Sequence, residues 1–112
     1  MTQEEKKFLL KDLSARLPYG VKVNLPLYGA TTLTYDMVKL IDKDDNKWLP
    51  YLRPMSSMTE EEEYEYRNVC VSPINRQWDV VDWLNSNHFD YRGLIEKGLA
   101  IAVTEENNPY KE

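Results

Sequence analysis

Leu9, Leu10, Leu13 and Leu17, with Phe8 beside them, recur at the intervals of a helix with one apolar face. Thr2 stands three residues before Glu5, the spacing of a capping box, so the pattern predicts a helix over residues 3–17. Lys6, Lys7, Lys11 and Arg16 are expected to cover its other surfaces, and Pro18 with Gly20 to stop it and turn the chain. The alternation in Val21-Lys22-Val23-Asn24-Leu25 then predicts a half-buried strand that Pro26 confines to an edge or an end.

Tyr28-Gly29-Ala30-Thr31 reads as a turn or loop, and residues 33–41, rich in strand formers, as a longer strand. Asp42-Lys43-Asp44-Asp45-Asn46 is a turn cluster, after which Lys47-Trp48-Leu49 returns as a short third strand of an antiparallel meander. Pro50 and Pro54 bracket a rigid extended connector. Thr59 followed by four glutamates is a second capped helix start, with Glu62 completing the box and the helix running to about residue 69. Ser72-Pro73-Ile74-Asn75 breaks the chain. Asn75 caps a helix over residues 76–86 whose apolar face holds Trp78, Val81 and Leu84, with Trp83 alongside. Residues 88–91 form a loop, residues 94–97 one helical turn closed by Gly98, and residues 99–103 a buried strand. Residues 105–112 form a polar, frayed tail. The expected fold is a single α+β domain: an N-terminal helix, a small antiparallel sheet of two to three strands, two further helices and a short closing segment.

The 112 residues can bury a core without a disulfide or a metal. Eight Tyr, three Trp and two Phe supply the burial a folded domain needs, and leave some aromatic rings for the surface or the rim of the core. Cys70 stands alone, so no internal disulfide and no cysteine zinc site can form, and a reducing cytoplasm is the expected compartment. The N-terminus lacks the apolar region of a signal peptide, and no apolar run is long enough to span a bilayer. The net charge of −5 is concentrated in the second half, where residues 58–112 carry twelve acidic and five basic side chains. That excess repels a phosphate backbone, making nucleic acid an unlikely partner, and suits a basic protein partner.

Two dense segments hold most of the unusual residue types. One is Tyr51-Leu52-Arg53-Pro54-Met55-Ser56-Ser57-Met58-Thr59 with the glutamates that follow. The other is His88-Phe89-Asp90-Tyr91-Arg92-Gly93-Leu94-Ile95-Glu96-Lys97-Gly98-Leu99-Ala100. His88 near Asp90 is raw material for acid–base chemistry, but the chain has no second His and no ligand-spaced Cys, so no metal and no cofactor is expected. No phosphate loop, dinucleotide glycine pattern, nucleophile elbow or zinc hydrolase motif is present. The glutamate run and the 42–46 cluster lack the spacing of a calcium loop.

In LRPMSSMTEEE (residues 52–62), HFDYRGLIEKGLA (residues 88–100) and residues 9–23, the chain resembles a group of short, uncharacterised proteins from gut anaerobic bacteria and their prophages or other mobile elements. The resemblance covers about half the chain and departs from it over residues 24–48. It brings no activity or cofactor, and implies a small accessory or host-interacting protein. The leading expectation is therefore a non-enzymatic protein-interaction protein whose surface uses Tyr51, Arg53, His88, Tyr91 and Arg92. The alternative is a small enzyme or ligand-binding domain built on His88, Asp90 and Arg92, which needs a concave pocket where they converge. A third option, an acidic decoy of nucleic acid, needs the carboxylates of residues 60–65, 79 and 82 along one face.

Overall fold

The computed structural model of the chain describes residues 2–44, 47–71 and 77–110. Helix α1 (Gln3–Arg16) starts on the predicted box: Thr2 Oγ1 accepts from Glu5 N and the Glu5 carboxylate accepts from Thr2 N. A single 3-10 turn (Leu17–Tyr19) ends it, and Gly20 takes the left-handed φ of 71° that reverses the chain. Strand β1 (Lys22–Leu25) follows and pairs antiparallel with β2 (Gly29–Thr32), Lys22 opposite Thr32 and Leu25 opposite Gly29. The turn is thus Pro26-Leu27-Tyr28, and Gly29-Ala30-Thr31, expected as loop, is strand.

Residues 33–41 are not a strand. Leu33 is the last residue to reach the core from β2, and helix α2 (Tyr35–Asp44) begins behind Thr34, whose hydroxyl accepts from Met37 N. The β-branched and aromatic residues that favour a strand are overruled because Met37, Val38 and Ile41 fall on one helical face and pack against the core. Asp42 and Lys43 belong to the end of α2 rather than to a turn, and Asp45 and Asn46 lie outside the described residues.

The third strand also lies later than its predicted place. Lys47-Trp48-Leu49 carries no strand, while β3 (Tyr51–Leu52) occupies the expected connector and pairs in parallel with β4 (Ile101–Ala102). The two small sheets meet where Val23 bridges Pro50 antiparallel and Asn24 N donates to Leu49 O at 2.9 Å. Helix α3 (Glu60–Val71) starts on the second predicted box, Thr59 with Glu62. Helix α4 (Gln77–Ser86) follows; the Asn75 cap expected for it and the Trp78 side chain lie outside the described residues. Gly98, at φ 73°, closes the turn formed by residues 94–98 as expected.

The core gathers Leu9 and Leu13 of α1, Val21, Val23, Leu33, Ile41 and Leu52, and Leu94, Leu99 and Ala100 of the closing segment. Four helices with an antiparallel pair and a parallel pair of short strands make this the expected α+β architecture. Two surface expectations fail. Arg16 is fully buried rather than solvated, and the tail is tied down as far as Tyr110. No helix among the described residues is long and apolar enough to cross a membrane.

Candidate interaction site

The two dense segments meet. Arg53 N donates to His88 O and Asp90 N donates to Arg53 O, both at 2.8 Å, so Arg53 runs as a one-residue parallel bridge beside Phe89. Across this seam the Arg53 guanidinium lies 4.2 Å above the Phe89 ring and grips Glu62 through two 2.6 Å bonds. Phe89 stacks on Trp83, and Trp83 on Tyr66 of α3. Glu62 and Tyr66 are one helical turn apart, so the column fixes α3 at two points. The hydrogen bonds from Arg53, then the Thr59 backbone N–H and the Arg53 charge, hold the Glu62 carboxyl below its ordinary range against the opposing effect of burial.

Behind Tyr91 lies a buried ionic cluster. Asp12 and Arg16, both 0 % exposed, pair at 2.7 Å, and Arg16 donates a second bond to Phe89 O at 2.7 Å. Arg92 Nε sits 3.1 Å from the other Asp12 oxygen, within ion-pair distance but outside hydrogen-bond geometry. The Arg16 and Arg92 guanidinium groups lie 5.0 and 5.1 Å from the Tyr91 ring centroid, and the Tyr91 hydroxyl donates to buried Asn85. Burial raises the Asp12 carboxyl above its ordinary value, against the pull of Arg16 and then Arg92.

Each of the five expected surface residues is therefore engaged within the chain. Tyr51 donates to Asn24 Oδ1 at 3.3 Å, Arg53 holds Glu62, and Tyr91 and Arg92 close the ionic cluster. His88, at a left-handed φ of 62°, stacks on Tyr110 with centroids 3.8 Å apart. Burial first, then the charges of Arg16 and Arg53, lower the His88 pKa to about 4, so the ring is neutral at pH 7. Asp90 spends one carboxylate oxygen on Leu94 N and the other on Ile95 N. His88, Asp90 and Arg92 thus face three separate sets of partners rather than a common pocket.

The seam does open a groove of about 440 Å3, lined by Pro54, Met55 and Ser56 from the first segment and by Asp90, Tyr91, Gly93, Ile95 and Glu96 from the second; His88 and Arg92 do not line it. Of the carboxylates required of a decoy, Glu62 is held by Arg53 and Asp82 accepts from Tyr19, while the Asp79 side chain lies outside the described residues. Among the described residues no group of three His, Cys, Asp or Glu side chains could hold a metal ion.

Asp12 and Arg16 are what reading the sequence missed. The buried positions of α1 are 9, 12, 13 and 16, a helical stripe that includes an acid and a base four residues apart. That opposite-charge pair inside an apolar stripe was the available signal. Tyr110 gave none, because its contacts reach back 59 and 88 residues. Compared with known protein families, with curated proteins and with solved structures, the chain matches none.

Proposed function

We propose that the chain is a non-enzymatic interaction protein, and that it receives an apolar and basic segment of a partner protein in the groove between residues 54–56 and 90–96. The observation that carries this reading is the seam itself: two sequence-distant segments lock together through Arg53 and leave a concavity beside the lock. Met55, Tyr91 and Ile95 offer apolar contact and Glu96 an exposed carboxylate, in the half of the chain that carries the acidic excess. Arg53 and Arg92 position this surface rather than touch the partner. The resemblance of the two segments to proteins of prophages and mobile elements supports an accessory role there, and exposed, unpaired Cys70 suits the reducing cytoplasm.

The test is affinity capture from a lysate of the source cells with the folded chain as bait. A double variant, Ser56→Arg with Glu96→Lys, adds one positive charge and reverses one negative charge at two exposed sites without touching the core. We expect a stoichiometric protein partner captured by the wild type and lost by the variant at unchanged melting temperature. Equal capture by both would place the partner elsewhere.

A further inference from the structure

The junction of the two sheets contains a gap filled by a side chain from the tail. With Asn24 N bonded to Leu49 O, and Val23 facing Pro50, the next directly bonded pair of an antiparallel ladder is Lys22 with Tyr51. That bond is replaced. The Tyr110 hydroxyl accepts from Lys22 N at 2.9 Å and donates to Tyr51 O at 2.6 Å, standing in the ladder between the two strands. Its ring lies on the His88 imidazole, 3.8 Å between centroids and 8° from parallel. His88 is held there in a left-handed backbone conformation that a side chain of its size adopts at a cost.

The slot therefore offers one backbone donor, one backbone acceptor and one flat ring. A phenol satisfies all three, because its hydroxyl both gives and takes a hydrogen bond. Phenylalanine leaves both backbone groups unmet, and the indole of tryptophan can only donate. Burial pushes the Tyr110 pKa up to about 12, which keeps the hydroxyl proton in place for Tyr51 O.

The strap that delivers this ring is bonded largely to itself. Thr104 N and Oγ1 both donate to Asn107 Oδ1, and Tyr110 N donates to Asn108 Oδ1. Asn107 Nδ2 reaches Ala102 O at 3.2 Å, and residues 104–107 are exposed. Among the described residues of the strap, Tyr110 makes the hydrogen bonds that reach strands β1 and β3.

We propose that this slot is a tyrosine-binding site whose resident occupant is the chain's own Tyr110, and that a tyrosine on an extended segment of a partner protein takes it when the strap lifts. The seated strap itself shows the chemistry that fits. The site lies apart from the 54–56 and 90–96 groove and does not rest on the reading given to it.

The test uses the full chain with Tyr110→Ala, confirmed as folded by circular dichroism. Phenol should raise its melting temperature in a saturable way, while benzene should not and wild type should not respond. A peptide of residues 104–110 should bind the variant about ten-fold or more tighter than it binds wild type, and its Tyr→Phe version should lose about ten-fold. Equal stabilisation by benzene, no response to phenol, or equal peptide binding by both chains would overturn the proposal. If Tyr110→Ala does not fold, Tyr110→Phe decides. It keeps the ring and should lower the folding equilibrium constant about ten-fold, and stability equal to wild type would refute the hydroxyl's role.

Discussion

Helices α1 and α3 both start on a Thr-x-x-Glu capping box, Thr2 with Glu5 and Thr59 with Glu62, and in each both reciprocal bonds are made. Beyond that first turn they differ. Helix α1 buries Leu9, Asp12, Leu13 and Arg16 in the centre of the molecule. Helix α3 buries nothing, and only the row Glu62, Tyr66 and Val69 is even half-covered. The acid in each helix shows the contrast most directly. Asp12 faces two arginines while fully buried, whereas Glu62 holds one arginine at a partly exposed seam. A cap fixes where a helix begins, and the residues one and two turns later decide whether anything holds it. Helix α1 is part of the core, and α3 is a helix tied on by the column Glu62–Arg53 and Tyr66–Trp83.

The largest difference should appear when each acid is removed. Asp12→Ala leaves Arg16 buried with its main partner gone, and breaking a buried pair in this way costs about 3–5 kcal/mol. Glu62→Ala leaves Arg53 at a seam that water can reach, and we expect about 1 kcal/mol. Urea unfolding of the two variants measures both. Equal losses would mean that α3 is as integral to the fold as α1.

The same contrast explains what could be read from the sequence. Both caps, the α1 stripe and the Gly98 turn were legible because each is a signal within a few residues of its effect. Residues 33–41 misled because Thr, Tyr, Val and Ile favour strands, while the Thr34 cap and the Met37, Val38 and Ile41 face that make α2 are visible only at helical period. Arg16 misled because charge was read as exposure. The parallel pairing of β3 with β4 joins residues about fifty positions apart, and neither that nor the Tyr110 slot leaves a local mark. The candidate site was legible as two segments and not as a contact. That they lock through Arg53 follows from the backbone bonds to His88 and Asp90, which no residue type announces.

Acid should act on the two regions in opposite senses. Asp12 has a raised pKa, so the folded state takes its proton before the unfolded chain does, and falling pH favours folding at that site. Glu62 has a lowered pKa, so the stability it brings is present above the ordinary carboxylate value and is lost as pH falls through the folded one. His88 acts earlier. With its pKa at about 4 instead of 6.5, the unfolded chain binds the proton first between those values, and stability falls as pH drops across that window. Discounted for the ring's partial exposure, the loss is about 1–2 kcal/mol. His88→Asn, which suits the left-handed backbone, should flatten the slope of urea midpoints between pH 6.5 and 4. Below that range the fluorescence of Trp83, which Tyr66 covers, should report α3 loosening before the core unfolds. A single transition for both probes would contradict the picture of α3 as tied on.

The smallest effect is the sharpest comparison, because it changes the one feature the helices share. Thr2→Ala and Thr59→Ala each delete a cap worth about 1 kcal/mol in its own helix. In α1 the first turn leads directly into Leu9 and Leu13, so the lost cap should lower the stability of the whole molecule and shift the urea midpoint. In α3 the cap stabilises a helix that can open while the core stays folded, so most of the loss should be local. The Thr59→Ala variant should therefore exchange its α3 backbone amides about five-fold faster while its urea midpoint hardly moves. The residue 59 backbone N–H still donates to the Glu62 carboxylate in this variant, and Arg53 still holds it, so the seam should stay intact as the first turn frays. If Thr59→Ala instead shifts the global midpoint as much as Thr2→Ala, α3 and the core unfold as one unit, and the seam at Arg53 is the joint that makes them so.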